Sequence, residues 1–181
     1  MFGRGTPLDA TQAPPVQPND VPEGLDRAAF AAGCFWGVEE FFLAIPGVVD
    51  AVSGYEGGHV DQPTYEQVCS GATGHAEAVL VTFDPTRVTF DRLLEEFWRH
   101  HDPTTLNRQG PDHGTQYRSA VFVRNEAQAE AARASLEAFQ VRFKRPIVTE
   151  VAPAATFWPA EAYHQRYTER TGRGGCHVAN W

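Results

Sequence analysis

The chain has 181 residues, of which 42% are hydrophobic, and it carries a formal net charge of −8. This length suits one domain with a substantial core, and the apolar fraction is that of a globular protein. The acidic balance argues against nucleic acid and against anionic membranes as partners, since both are bound by basic surfaces. The longest run without a polar side chain, Ala28 to Val38, is too short to cross a bilayer.

The first 25 residues hold five of the 13 prolines and almost no large apolar side chains. We expect them to form a disordered or surface-draped segment. They also lack the apolar core of a signal peptide, so a cytoplasmic location is expected. Residues 26–181 are expected to form a single domain, which ends in a mobile, glycine-rich tail from about residue 170.

Hydrophobic periodicity from residue 26 onward predicts elements in the order β-α-β-β-α-β-α-β-α. The predicted strands are "RAAFAAG", "VVDAVSGYEGG", "EAVLVTF", "YRSAVFV" and "IVTEVA". The predicted helices follow Cys34, run through Phe90 to Trp98, begin at an Asn125 cap, and open at Pro159. The first six elements match the split β-α-β plan. We therefore predict an α+β fold, a two-layer ferredoxin-like mixed sheet with flanking helices and an extended C-terminal tail.

Cys34 lies in "GCFWG", between a predicted strand and a predicted helix. Amide groups at a helix N-terminus favour an anion, and thiol pKa values fall there, so this position suits a reactive thiolate. The neighbouring Phe35 and Trp36 could form an apolar pocket beside the sulfur. A buried, inert cysteine is an equally good interpretation of the position, and the two aromatic residues alone are more typical of a core.

Glu77 alternates with Val79, Val81 and Phe83 in "GHAEAVLVTF", which places a carboxyl group at the rim of an apolar strand face. Burial there would raise its pKa and keep it protonated, as a general acid requires. From this pattern alone, a solvated carboxylate at a strand end is the better supported alternative.

Further candidates lie in loops and in the tail. Tyr65 and Tyr117 are phenols that could donate to a developing oxyanion, although ordinary packing would explain them too. Cys176 follows two glycines near the chain end, where a mobile thiol could reach another thiol. Cys69 is predicted to be a buried structural thiol with no chemistry. The three cysteines contain no C-x-x-C pair, so neither a disulfide scaffold nor a zinc site is expected.

Three segments together resemble the class A peptide methionine sulfoxide reductases. They are "GCFWG", "PTYEQVCSGATGHAEAV" and "HGTQYRSAVF", and the resemblance extends from about Arg27 to Cys176. It implies reduction of methionine S-sulfoxide, free or in oxidised proteins, by an external dithiol that is usually thioredoxin. Such enzymes repair oxidised proteins and use no metal and no bound cofactor.

The resemblance also implies the role of each site residue. Cys34 would be the nucleophile, and Phe35 and Trp36 would hold the substrate's S-methyl group. Glu77 would protonate the leaving oxygen. The resemblance further implies that Tyr65 and Tyr117 would hydrogen-bond that oxygen. Asp112 would order polar groups and water in the site, and Cys176 would be the resolving cysteine.

Two other classes of function remain open from the residues themselves. A cysteine hydrolase or acyltransferase would also place its nucleophile at a helix N-terminus and would need a histidine base, for which His75 or His113 could serve. A binding module could use the Phe35–Trp36 pocket without any chemistry. Dependence on a dithiol distinguishes the reductase from the hydrolase, and a thiol titration distinguishes either enzyme from the binding module.

Overall fold

Residues 11–173 and residue 180 are described in the computed structural model of the protein. The strands of this part are Asp26–Ala32 (β1), Val48–Glu56 (β2), Ala76–Phe83 (β3), Arg108–Gln109 (β4), Asp112–His113 (β5), Ser119–Val123 (β6), Glu150–Pro153 (β7) and Trp158–Pro159 (β8). The helices are Phe35–Leu43 (α1), Tyr65–Cys69 (α2), Phe90–Arg99 (α3), Glu126–Gln140 (α4) and Tyr167–Thr171 (α5). Two 3-10 turns cover Thr115–Tyr117 and Ala162–His164.

Six strands form one sheet in the order β7-β6-β1-β3-β2-β8, and β4 pairs with β5 in a separate hairpin. The central strands β6, β1, β3 and β2 pair antiparallel with one another, whereas β7 runs parallel to β6. The first four long strands therefore have the arrangement of a ferredoxin-like sheet, to which β7 and β8 add an edge on either side. The predicted α+β fold with a mixed sheet is confirmed.

Strand β3 lies at the centre of the sheet and is buried along its whole length. Its alternating side chains divide between two apolar clusters, with Val79 and Val81 in the larger one and Ala78 and Leu80 in the smaller. Helices α1 and α3 cover the larger cluster. Their Phe42 and Phe97 lie 4.6 and 5.5 Å, between ring centroids, from Phe30 of β1.

The opposite face of the sheet is covered by loops instead of helices. Phe157, which is fully buried, fills the centre of this smaller cluster. It also exchanges two backbone hydrogen bonds of 2.9 Å with Val16 of the proline-rich N-terminal segment. Val16 thus packs against this face of the sheet.

Several boundaries differ from the predicted ones. The predicted helix at Pro159 is wrong, because Pro159 pairs with Gly54 as the last residue of β8. Proline can stand at the edge of a sheet, where its missing N–H costs no ladder bond. Helix α2 and the β4–β5 hairpin were not predicted, since elements of two to five residues carry little periodicity. No helix among the described residues is long and apolar enough to cross a membrane.

Candidate active site

Cys34 occupies the position immediately before the first residue of α1, where β1 turns into the helix. The turn depends on Gly33, whose φ of 90° is in the region that favours glycine. The cysteine is half-buried. The thiol is therefore held at a corner beside the first amide groups of α1, as the sequence pattern indicated.

Glu77 lies opposite Tyr55 on the neighbouring strand and is only 1% exposed. Its Oε1 accepts a hydrogen bond of 3.3 Å from the backbone N–H of Phe35, whereas its buried Oε2 has no hydrogen-bond partner in the described part of the chain. Burial raises the pKa of Glu77 to about 8; the Phe35 bond opposes this rise, and the charge of Asp112 adds to it. The alternative of a solvated carboxylate is wrong.

Tyr65 is the first residue of α2, and Tyr117 ends the 3-10 turn before β6. Both side chains are half-buried. Burial raises the pKa of each phenol, and the neighbouring Glu77 carboxylate raises it further. Both groups therefore keep their protons and can donate hydrogen bonds near Glu77.

Asp112 lies half-buried on β5, in the short hairpin that precedes Tyr117. Its charge contributes to the raised pKa of Glu77 and of Tyr117, so it lies within electrostatic range of both groups. The β4–β5 hairpin thus brings a carboxylate to the same site as the residues from β3 and from the 3-10 turn.

Phe35 and Trp36 differ in their surroundings. Phe35 is 1% exposed and packs against the rings of Tyr55 and Tyr65, with centroids 5.8 and 6.3 Å away. Trp36 is half-buried, and the ring of Tyr167 stacks on it at 3.9 Å and 14°. Phe35 is consequently part of the core, whereas Trp36 is a partly exposed ring that Tyr167 holds in place.

The sequence matches a family of known enzymes. A model of the family "Peptide methionine sulfoxide reductase" matches residues 26–180. The protein named peptide methionine sulfoxide reductase MsrA in Geobacter sulfurreducens is 61% identical over 154 residues, which are 84% of this chain and 95% of that protein. The chain belongs to the peptide methionine sulfoxide reductase family.

Solved structures of such reductases agree with this assignment. Methionine sulfoxide reductase A of Corynebacterium diphtheriae matches with a TM-score of 0.81 and 36% identity, over 95% of this chain and 92% of that one. Mxr1 of Saccharomyces cerevisiae in its reduced form matches with a TM-score of 0.84 and 34% identity, over 88% and 94% of the two chains. The yeast protein has also been solved in complex with Trx2. The protein is thus an oxidoreductase that reduces methionine sulfoxide with thiols.

Sequence reasoning missed His164, although it lies among the aromatic residues of the reductase site. It is 1% exposed, and its Nδ1 accepts a hydrogen bond of 3.1 Å from Nε1 of Trp36. Burial lowers the pKa of His164 to about 4, so the ring is neutral and carries its proton on Nε2. Its ring also lies 4.4 Å from that of Tyr65. A lone histidine in "AYHQRY" gave no signal of this contact.

Glu161 is a second carboxylate that the sequence did not reveal, and it is 7% exposed. Its Oε2 accepts from the backbone N–H of Tyr65 at 3.1 Å and from the hydroxyl of Tyr163 at 3.2 Å. Its Oε1 accepts from the hydroxyl of Tyr55 at 3.0 Å. Glu161 therefore links the start of α2 to strand β2.

The two alternative histidine bases differ in their surroundings. His75 uses both ring nitrogens on the backbone, since Nδ1 accepts from Gly58 N–H at 2.9 Å and Nε2 lies 2.7 Å from the Val60 carbonyl. His113 is exposed on β5. His75 is therefore not free to act as the base that the hydrolase hypothesis requires, and the family assignment supersedes that hypothesis.

Cys69 and Cys176 are the other two cysteines of the chain. Cys69 was predicted to be buried, and this is wrong: it ends α2 with an exposed side chain that hydrogen-bonds Tyr65. Five residues cannot bury every side of a helix, and its last turn faces solvent. Cys176, the predicted resolving thiol, lies outside the described residues. Among the residues described, no group of three or more potential ligands could hold a metal ion.

The described residues offer a defined chemical environment. The thiol at the start of α1 precedes Phe35, whose backbone N–H binds a carboxyl group with a raised pKa, and two phenols with raised pKa values lie within electrostatic range of that carboxyl group. Such an arrangement can attack an electrophilic atom from one side and protonate the oxygen that leaves it.

Proposed function

We propose that Cys34 is the nucleophile of this methionine sulfoxide reductase and that Glu77 is its general acid. The Cys34 thiolate attacks the sulfoxide sulfur while Glu77 gives its proton to the sulfoxide oxygen. Rearrangement then releases methionine, and the oxygen remains on Cys34 as a sulfenic acid. The substrate sulfur is reduced and the cysteine sulfur is oxidised by the same two electrons.

The buried and unpartnered Oε2 of Glu77 carries this proposal. A carboxyl group whose pKa is raised to about 8 holds its proton at neutral pH, and a sulfoxide oxygen leaves only after it is protonated. Tyr65 and Tyr117 are the proposed donors to that oxygen, and Asp112 orders polar groups and water around it. Their half-buried phenols have raised pKa values, which suits hydrogen-bond donation without proton loss.

The substrate's methyl group is proposed to rest against Phe35 and Trp36. The Trp36 ring is fixed on one face by Tyr167 and at its N–H by His164, so it presents a rigid apolar surface. A rigid wall suits a small methyl group, because the position of that group decides which epimer presents its sulfur to the thiolate and its oxygen to the acid. We infer that the S epimer of methionine sulfoxide is the substrate, free or in proteins.

Recycling is proposed to use Cys176. Its thiol displaces water from the Cys34 sulfenic acid and forms a disulfide, which an external dithiol reduces. Thioredoxin is the proposed reductant, and the yeast relative's complex with Trx2 supports it. No prosthetic group enters these steps, because the electrons come from thiols. The proposed setting is repair of oxidised protein in the cytoplasm.

The test is consumption of the two sulfoxide epimers by the full chain, with and without dithiothreitol. We expect about one methionine per enzyme without the dithiol and continued turnover with it, for the S epimer only. Equal consumption of the R epimer, or turnover that continues without a dithiol, would contradict the proposal.

A further inference from the structure

The proline-rich N-terminal segment reaches the proposed active site. The matched family region begins at residue 26, so this segment lies before it. Residue 12 is nevertheless close to α2, because the side-chain Nε2 of Gln12 donates to the carbonyl of Pro63 at 2.9 Å. Pro63 comes two residues before Tyr65 in the chain.

The same amide contacts the second carboxylate of the site. Gln12 Nε2 lies 3.4 Å from Oε1 of Glu161, the residue whose other oxygen accepts from the Tyr65 backbone. The carbonyl of Thr11 accepts a further hydrogen bond of 3.0 Å from Ala162 N–H. Residues 11 and 12 therefore join the segment around Pro63 to the segment around Glu161.

The rest of the segment holds these two residues in place. Val16 exchanges two backbone hydrogen bonds with the buried Phe157, and Gln17 accepts one of 3.0 Å from the Thr156 hydroxyl. Such a short anchored strand limits the freedom of Gln12, so its contacts cost less entropy than those of a loose tail.

We propose that Thr11 and Gln12 form a working part of the active-site wall and that Gln12 is a positioning residue for Tyr65. The inference rests on the proposed role of Tyr65, whose hydroxyl binds the sulfoxide oxygen. Gln12 fixes the backbone before Tyr65 through Pro63, and it holds Glu161 in the place where that carboxylate accepts from Tyr65 N–H. A small shift at the start of α2 would move the phenol away from the oxygen.

The test compares four full-length proteins in the first step, measured as single-turnover methionine formation over a range of sulfoxide concentrations. They are the parent, Gln12→Ala, Tyr65→Phe and the double variant. We expect Gln12→Ala to slow the maximal first step by about two- to tenfold, the range for loss of one such hydrogen bond. In the Tyr65→Phe background the same change should have no further effect, because the hydroxyl that Gln12 positions is gone.

Gln17→Ala is the matched control, since it removes one hydrogen bond of the same segment without a contact to α2 or Glu161. It should react like the parent. Equal rates for Gln12→Ala and Gln17→Ala would overturn the inference, as would an undiminished Gln12→Ala effect in the Tyr65→Phe background. A parent-like rate for Tyr65→Phe alone would instead contradict the proposed role of Tyr65, and the inference would fall with it.

Discussion

The carboxylate of Glu77 on β3 accepts a hydrogen bond from the backbone N–H of Phe35, the first residue of α1, at 3.3 Å. This contact fixes the proposed acid relative to the corner that carries Cys34, although Cys34 and Glu77 are 43 positions apart. It occupies one carboxyl oxygen and leaves Oε2 for a proton and a substrate. Nucleophile and acid thus share one rigid framework.

Replacement of Glu77 by Gln should slow the first chemical step severely while the fold is kept. The amide retains the shape and can donate a hydrogen bond, but it cannot give up a proton. Loss of a positioned acid typically costs ~10²–10⁴-fold in rate. Since the pKa of Glu77 is raised to about 8, the parent's rate should also fall as pH rises through about 8, and this limb should be missing from the variant.

Glu56→Gln is the matched control for that measurement. Glu56 is also fully buried with a pKa raised to about 7 by burial, but it has a different partner, the N–H of Ala155 at 2.9 Å. Single-turnover rates of this variant should equal those of the parent. If both variants were slowed alike, the effect of Glu77→Gln would reflect loss of a buried carboxyl group and not loss of an acid.

The raised pKa of Glu77 also predicts that this residue destabilises the folded protein as the pH rises. Its native pKa of about 8 exceeds the ordinary value of 4.5, so between these two values the native state holds a proton that the unfolded state has lost. The parent's free energy of unfolding should therefore fall with rising pH, by up to ~1.4 kcal/mol per unit. Because Gln does not titrate, Glu77→Gln should gain stability relative to the parent between pH 5.5 and 8.5.

Chemical denaturation at those two pH values measures the change. The comparison concerns the difference between variant and parent, which removes the contributions of groups that the two proteins share. A difference that stayed constant from pH 5.5 to 8.5 would show that Glu77 does not titrate in this range in the folded protein.

His164 should be replaceable by Asn but not by Leu. The Asn side-chain oxygen can occupy the place of Nδ1 and accept from Trp36 Nε1, whereas Leu leaves that buried N–H unpaired. We expect His164→Leu to raise the substrate concentration for half-maximal first-step rate by about two- to tenfold, with a smaller loss of maximal rate. Equal behaviour of the two variants would contradict a role through the hydrogen bond.

Replacement of Cys34 by Ser should abolish sulfoxide reduction and leave the fold intact. A hydroxyl has too high a pKa to supply the anion that attacks sulfur, and the two side chains are similar in size. Methionine formation by the purified variant, with dithiothreitol present, gives the measurement. Activity within a few-fold of the parent would show that another group is the nucleophile.

The sheet could be predicted because strand periodicity fixes which side chains share a face. The alternation of Glu77 with Val79 and Val81 predicted that these side chains share one apolar strand face, and both valines lie in the larger cluster. The burial of Glu77 could not be predicted from this pattern, because the residues of α1 that contact the carboxyl group are distant along the chain. Pro159 shows a similar limit, since proline suits a helix start as well as a sheet edge, and pairing with Gly54 decides the outcome.

Much of the site's support lay beyond the reach of sequence patterns. His164 accepts a hydrogen bond from Trp36, and Glu161 accepts one from Tyr65, in both cases across more than 90 positions. No hydrophobic periodicity connects residues that are so far apart. Helix α2 is capped locally by Thr64 and Gln67, and Glu161 adds a contact that is distant in sequence. The residues proposed to react, by contrast, lay in motifs whose residue types already indicated their chemistry.

Replacement of Cys176 by Ser separates the first step from recycling. The first step uses Cys34, Glu77 and the pocket, so the variant should still form about one methionine per enzyme without a reductant. It should then stall with Cys34 as a sulfenic acid. With thioredoxin it should turn over poorly, because a protein reductant reaches a disulfide on the chain's tail more readily than a half-buried sulfenic acid.

Cys69→Ser is the matched control, because Cys69 is an exposed thiol with no proposed part in recycling and a serine hydroxyl can still accept the hydrogen bond of Tyr65. It should turn over with thioredoxin as the parent does. The reductant must be the protein, since a small thiol such as dithiothreitol can enter the pocket and reduce Cys34 directly. Undiminished multiple turnover of Cys176→Ser with thioredoxin would show that Cys176 is not the resolving thiol. If Cys69→Ser stalled after one methionine instead, the resolving role would belong to the cysteine at the end of α2.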